Sequence, residues 1–196
     1  MAKNKQTVFG WDNEQNITNI VVDEKFMQSL LLLQNNPSNI SQVVLALYNS
    51  INEANYDNSI NIPPTVDEKI LHNNVVQFRE IIYSHYGEYA SFLDDAYNAL
   101  DSDTPGRKKR FLDFIKYQYQ LQLGNLQREK QDKTKIEIVR ENADSLIFHM
   151  INLLIAQIAI NNHLTSHLSK EDLQLSVVTI VCHAFVECKI LENPNI

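Results

Sequence analysis

The sequence predicts an all-α protein: a helical bundle of about four to five helices carrying a small helical N-terminal extension. Three observations predict it. Apolar residues recur at three- and four-residue steps over long stretches, the spacing that gathers side chains on one face of a helix. Helix-start signals precede several of those stretches, notably Thr65 with Glu68 and Ser169 with Asp172. Finally, only four glycines occur in 196 residues, whereas many-stranded β folds and phosphate-cradling α/β folds rely on glycine in their turns.

Residues 1–20 show no sustained period and read as a polar lead-in, with Val8, Phe9 and Trp11 available to dock as a short strand or anchor. From Val22 the run VVDEKFMQSLLLLQ reads as a helix, stopped by the breaker NNPS. Ser38 is positioned to cap a second helix, in which Val43, Val44, Leu47, Tyr48 and Ile51 fall at helical spacing. NYDNSINIPP follows, polar and ending in two prolines, and is the best linker in the chain. Residues 1–62 are therefore read as an Asn-rich extension with one or two helices, and 63–196 as the bundle domain. The extension is where asparagine concentrates: 14 of the 22 asparagines precede Val75.

Beyond the linker, Ile70, Val75, Phe78, Ile82, Tyr86, Tyr89, Leu93, Tyr97 and Leu100 predict one long helix, or two broken near Gly87. DSDTPG is a turn, with Thr104 as cap and Pro105 in the first turn of the next helix. Phe111, Phe114, Ile115, Tyr119 and Leu123 make that helix amphipathic, and Gly124 is expected to end it. A charged connector leads to a strong helix over 136–160, striped by Val139, Ala143, Ile147, Met150, Leu154 and Ile158. After HLTSHLS, a last helix capped by Ser169 carries Leu173, Val177, Ile180, Ala184 and Phe185.

Several function classes fall away. Neither GxGxxG nor GxxxxGK[ST] occurs, so the two best-known phosphate loops are missing. No signal-like segment opens the chain, and the most apolar stretch, LIFHMINLLIAQIAI, is too short to span a bilayer. Cys182 and Cys188, six apart on a helix, point in different directions and cannot bridge. A reducing, cytoplasmic setting without a membrane role is expected. His163 and His167 have the i, i+4 spacing of half a zinc site, with Cys182, His183 and Cys188 as conceivable completions. However, the histidines flank a polar connector, no HExxH or CxxC occurs, and surface histidines with a small buried thiol explain the same residues. Asp94 and Asp95 diverge by about 100° on a helix and cannot share one proton. No GxSxG elbow exists, and Cys182 and His183 also diverge. The expectation is a protein that is not an enzyme and holds no cofactor or metal.

Charge placement is more informative than the net charge of −7. Residues 106–140 hold ten basic and four acidic residues, a local charge of +6, while the rest of the chain carries −13. The segment opens with Arg107, Lys108, Lys109 and Arg110 and continues through Lys116, Arg128 and Lys130, interleaved with aromatics. Clustered cations can neutralise phosphates while aromatics stack on bases. Equally, the aromatics can be core and the cations a solvated first turn. Four cations at a helix N-terminus oppose the macrodipole, which points to an anionic partner, either DNA or RNA or an acidic protein surface.

Three stretches carry a resemblance: PPTVDEKILHNNVVQFREII (63–82), IEIVRENADSLI (136–147) and VVTIVCHAFVECKILENP (177–194). Their order is similar to the helical C-terminal domain of ABC-three-component systems of prokaryotes. The matching positions are Lys69, Ile70, Asn73 and Asn74, then Arg140, Glu141, Ala143 and Asp144, then Ala184, Phe185, Cys188, Lys189, Ile190, Glu192 and Pro194. His183 departs from the acidic residue expected before Ala-Phe. The resemblance implies an interaction subunit of an antiphage or mobile-element defence complex, whose partners are an SMC- or RecN-like ABC ATPase and a middle component. Such domains usually follow an effector, and about 62 residues ahead of the bundle are too few for a nuclease or protease, so the chain is expected to be either a stand-alone adaptor or a member of a different class that shares the helical end. Within the resemblance, Ala184, Phe185 and Cys188 read as core, and Lys189 and Glu192 as exposed contacts. The alternative functions are a helical nucleic-acid-binding protein using 106–140 and a helical homo-oligomer.

Overall fold

The computed structural model describes residues 37–49, 64–160, 165 and 168–195. They form six helices and no strand, the all-α architecture expected from the sequence: α1 Pro37–Asn49, α2 Val66–Asn73, α3 Arg79–Asp103, α4 Arg107–Glu129, α5 Lys135–Ile160 and α6 Lys170–Val186. The expected helix at 22–34, most of the linker and the pair His163 and His167 lie outside the described residues.

The last helix is the axis of the fold. Every residue of α6 from Leu175 to Phe185 is buried, and a helix buried on all sides belongs in the middle of a core. α3, α1 and α5 pack around it. Its two buried hydroxyls are satisfied within the helix, Ser176 donating to Asp172 O and Thr179 to Leu175 O. Since that hydrogen bond takes the single proton of Thr179, the His85 Nδ1 that lies 2.8 Å from its oxygen must be the donor, tying α3 to α6. α4 closes the outside against α3 and α5, and α2 rests on α5.

α1 belongs to this same core. Ile40, Val43, Val44 and Leu47 are all fully buried, although the sequence places them in the N-terminal extension. The apolar spacing that predicts the helix also supplies the face that packs on α3 and α6.

Local chemistry explains where helices begin and end, and it corrects several expectations. Neither one long helix nor a break near Gly87 is seen: the chain breaks between Asn73 and Arg79, and α3 runs through Gly87. Asn74 adopts the left-handed conformation, φ 56°, which asparagine tolerates better than most residues. The amides of Val75 and Asn74 then close on Ile70 O and Leu71 O at 3.1 and 3.3 Å, a Schellman motif that terminates α2. An interior glycine costs only about 1 kcal/mol against alanine, too little to override the packing of Tyr89, Leu93 and Tyr97. For the same reason Gly124 does not end α4, which continues to Glu129. Neither Thr104 nor Pro105 starts α4; the cap is Gly106 at φ 91°, a conformation glycine takes without strain.

The caps expected at Thr65 and Ser169 are present, whereas Ser38, expected to cap α1, lies inside that helix, which begins at Pro37. Thr65 and Glu68 form a capping box, Glu68 N donating to Thr65 Oγ1 at 3.2 Å and Thr65 N to the Glu68 carboxylate at 2.9 Å. Ser169 accepts from Asp172 N at 3.0 Å. Thr134 and Glu137 make a further reciprocal cap at the start of α5. The stripe Val139, Ala143, Ile147, Met150, Leu154 and Ile158 is buried throughout.

Candidate interaction site

The three stretches that carry the family resemblance meet in space. At their centre lies Lys69, a lysine with 1% of its surface exposed. Its ammonium donates to Phe185 O and, at 2.9 Å, to Ile190 O. It also sits 4.5 Å from the centre of the Phe185 ring, a cation–π contact in a dry site. Burial draws its pKa down to about 8, an effect opposed by Cys188, Glu192 and Glu187 nearby. Asn73, one turn on, donates to Lys69 O at 2.9 Å and Glu192 O at 2.8 Å, and accepts from Glu192 N at 2.8 Å. These two side chains fasten the start of the bundle to its last ten residues.

The segment they hold is a hook after α6. Lys189 N bonds to Ala184 O at 2.8 Å and Cys188 N to Phe185 O at 3.1 Å, a second Schellman motif with Cys188 in the left-handed position, φ 56°. Cys182 and Cys188 are both free and buried, and burial pushes the Cys182 thiol up. Phe185 and Cys188 are core, in line with the sequence reading. Glu192 differs from its expected role as an exposed contact: it is tied to Lys135 at 2.8 Å and accepts from Tyr119 OH at 3.2 Å. Lys189 is half-buried and lies 4.0 Å from Asp113.

The exposed part of the arrangement is the turn between α2 and α3. Asp144 of α5 accepts from Val76 N at 3.1 Å and Phe78 N at 3.0 Å, so its carboxylate serves the orphan amides that open α3. Arg140 Nε donates to His72 O at 2.7 Å, and Asn74 Nδ2 donates to Arg140 O at 3.3 Å. Between turn and helix lies a cleft of about 210 Å³ that includes Asn74, Gln77, Arg140 and Asp144. Asp144→Ala leaves two amides without their partner and is expected to cost about 2 kcal/mol. Urea unfolding reads that loss, and a change within about 0.5 kcal/mol would show that water replaces the carboxylate.

Several cations of the basic segment find carboxylates inside the molecule. Lys108 N donates to Asp101 at 2.7 Å, its ammonium lies 3.4 Å from Asp94, and it also covers the Tyr97 ring. Lys109 pairs with Asp113 at 2.7 Å, and the Arg107 guanidinium stacks over Tyr48 of α1. Arg110 Nε is buried without a hydrogen-bond partner. Lys116 is half-buried and engaged. Arg128 bonds to Asn125 and Gly124 O of its own helix. Lys130 and Lys133 both reach Glu141, at 3.4 and 2.5 Å, which lowers the pKa of Glu141 and raises that of Lys133. The macrodipole conflict at α4 is thus answered by Asp94, Asp101 and Asp113 of the same chain. Phe111, Phe114 and Tyr119 are buried, which removes them from any stacking surface, while Tyr117 is exposed.

His183 is buried, its pKa lowered chiefly by burial, and its ring lies 5.3 Å from that of Tyr97. Among the described residues, no group of three or more His, Cys, Asp or Glu side chains is placed to hold a metal ion. No described helix is long and apolar enough to cross a membrane. Leu71 and Val76 escape notice in the sequence, yet they are the most exposed large apolar residues described, at 82% and 66%. The signal was present: each neighbours a stripe residue, Ile70 or Val75, and so must point elsewhere.

The profile of one family, described as C-terminal domain 10 of the ABC-three component systems, matches residues 38–192. That span takes in α1 from its second residue, the first two stretches named above and the third as far as Glu192. No curated protein and no solved structure matches the chain significantly.

Proposed function

Because the chain belongs to the C-terminal domain 10 family of the ABC-three component systems, we propose that it is a non-catalytic interaction subunit of such a system. In this reading it couples to an SMC- or RecN-like ABC ATPase and its middle component in antiphage or mobile-element defence. The observation that carries the reading is the family match over 38–192. The geometry supports it, because the side chains of Lys69, Asn73 and Glu192 join chain segments to one another. Residues used that way build a rigid body, and a rigid body with a defined surface acts by docking.

The test is co-expression of the full chain with the ATPase and middle component encoded beside it, followed by size-exclusion chromatography. A stoichiometric complex with at least one of them, stable at 150 mM salt, is the expected result. Separate elution of all three, with and without ATP, would overturn the reading.

A further inference from the structure

We infer that the α2–α3 turn, with Leu71 and Val76 at its edges and Arg140 beside it, is the docking face for another protein chain. The occupant is a segment that brings a carboxylate to Arg140 and covers Leu71 and Val76 with apolar side chains. This inference rests on the reading above in taking the occupant to be a component of the same system.

Three observations carry it. The first is exposure in a fixed place. Single exposed apolar residues are ordinary on protein surfaces, but Leu71 and Val76 flank one turn whose backbone is closed from both sides. The Schellman bonds to Ile70 O and Leu71 O hold it from within. Asp144 on Val76 N and Phe78 N, and Arg140 on His72 O, hold it from α5. A turn fixed before binding loses little conformational entropy on docking.

The second observation is the charge left over. Both carboxylates beside the cleft are occupied, Asp144 by two backbone amides and Glu141 by Lys130 and Lys133. Arg140 is exposed, and among the described residues its side chain is hydrogen-bonded through Nε, to His72 O. Its two terminal nitrogens form a planar fork that fits a carboxylate in bidentate fashion.

The third observation separates a protein from a nucleic acid. A phosphate also fits an arginine fork, but one guanidinium that shares its cleft with the carboxylates of Glu141 and Asp144 is a poor seat for a polyanion. With Lys130 and Lys133 taken up by Glu141, two exposed apolar side chains beside the Arg140 fork suit a peptide with one acidic and two apolar residues. The cleft of about 210 Å³, lined by both Val76 and Arg140, has room for a side chain.

The experiment uses the full chain and the component with which it co-purifies, with affinity read by isothermal titration calorimetry. The double variant Leu71→Asp/Val76→Asp is expected to lose at least 100-fold in affinity and Arg140→Gln at least tenfold, with thermal midpoints close to the parent. Tyr117→Asp/Leu121→Asp, an exposed pair on α4, is expected to bind as the parent does. Parent-like affinity in the Leu71/Val76 variant overturns the inference, as does equal weakening by the α4 pair. Sedimentation in which that variant only turns a dimer into a monomer also overturns it, by making a second copy the occupant. If no component binds the parent chain, the functional reading fails by itself and the face is probed directly. Titrating the ¹⁵N-labelled chain with millimolar Ac-Leu-Glu-Glu-Leu-NH₂ is then expected to shift the Val76 and Gln77 amides and Arg140 Nε–H. Unmoved signals there, or equal shifts with inorganic phosphate, overturn the docking face.

Discussion

Lys69→Met is expected to remove about 2–3 kcal/mol of stability, within the range for leaving buried carbonyls without their donor. Methionine fills much the same volume but cannot donate. Phe185 O keeps only the Cys188 amide, and Ile190 O loses the ammonium bonded to it at 2.9 Å. At roughly 2–4 °C per kcal/mol for a chain of this size, the midpoint of thermal unfolding should fall on the order of 10 °C. A loss below about 1 kcal/mol in urea unfolding would mean that the hook finds other donors and that Lys69 is not its fastener.

The same variant has a pH signature. In the folded chain Lys69 titrates near pH 8, and in the unfolded chain near the ordinary lysine value of about 10.4. Below pH 8 both states hold the proton, and the cost of burying an ammonium is present in full. Between the two values the unfolded chain still binds a proton that the folded chain has released, so the contribution of this group to stability rises with pH. The stability gap between the parent and Lys69→Met should therefore widen from pH 8 to about 10.4, by on the order of 3 kcal/mol at 1.36 kcal/mol per unit. The other titrating groups are common to both proteins and largely cancel in the difference. A gap that stays flat or narrows over that window would remove the assignment.

How much of this could be read in the sequence depends on whether a signal is local. The stripe from Val139 to Ile158 and the caps at Thr65 and Ser169 involve residues within a turn or two of each other, and they appear as expected. The break before α3 was also written there, as the five-residue step from Ile70 to Val75 where the helical register slips. Gly87 marks no such slip, and α3 passes through it. The charge of +6 over 106–140 could not be interpreted in one dimension. Lys108 meets Asp94 and Asp101 from the preceding helix, Lys130 and Lys133 meet Glu141, and Lys135 meets Glu192 near the chain's other end. Lys69 illustrates the limit most clearly. Nothing around a lysine in VDEKILHN says that it is buried, since its partners are carbonyls at 185 and 190 that carry no residue-type signature. The resemblance picked out Lys69, Asn73 and Glu192 as a set, and the structure supplies the physical reason they belong together.

Phe185→Ala should cost about 3–5 kcal/mol as a buried aromatic truncation, and a double-mutant cycle with Lys69→Met separates its two roles. The ring fills the core between α6 and the hook, and its face also receives the ammonium at 4.5 Å. The backbone carbonyl of residue 185 survives the substitution, so its hydrogen bond from Lys69 remains and only the ring is removed. If the ring served the core alone, the two substitutions would add. Because a desolvated cation–π contact is worth about 2 kcal/mol, the double variant should lose about 1–2 kcal/mol less than the sum, within the coupling range for touching residues. Phe185→Leu sharpens the separation. It keeps most of the volume and none of the π face, so its coupling to Lys69→Met should match that of Phe185→Ala although its own cost is smaller. Coupling within about 0.3 kcal/mol of zero for both would show that the ammonium is held by the two carbonyls alone, and the ring would then be packing and nothing more.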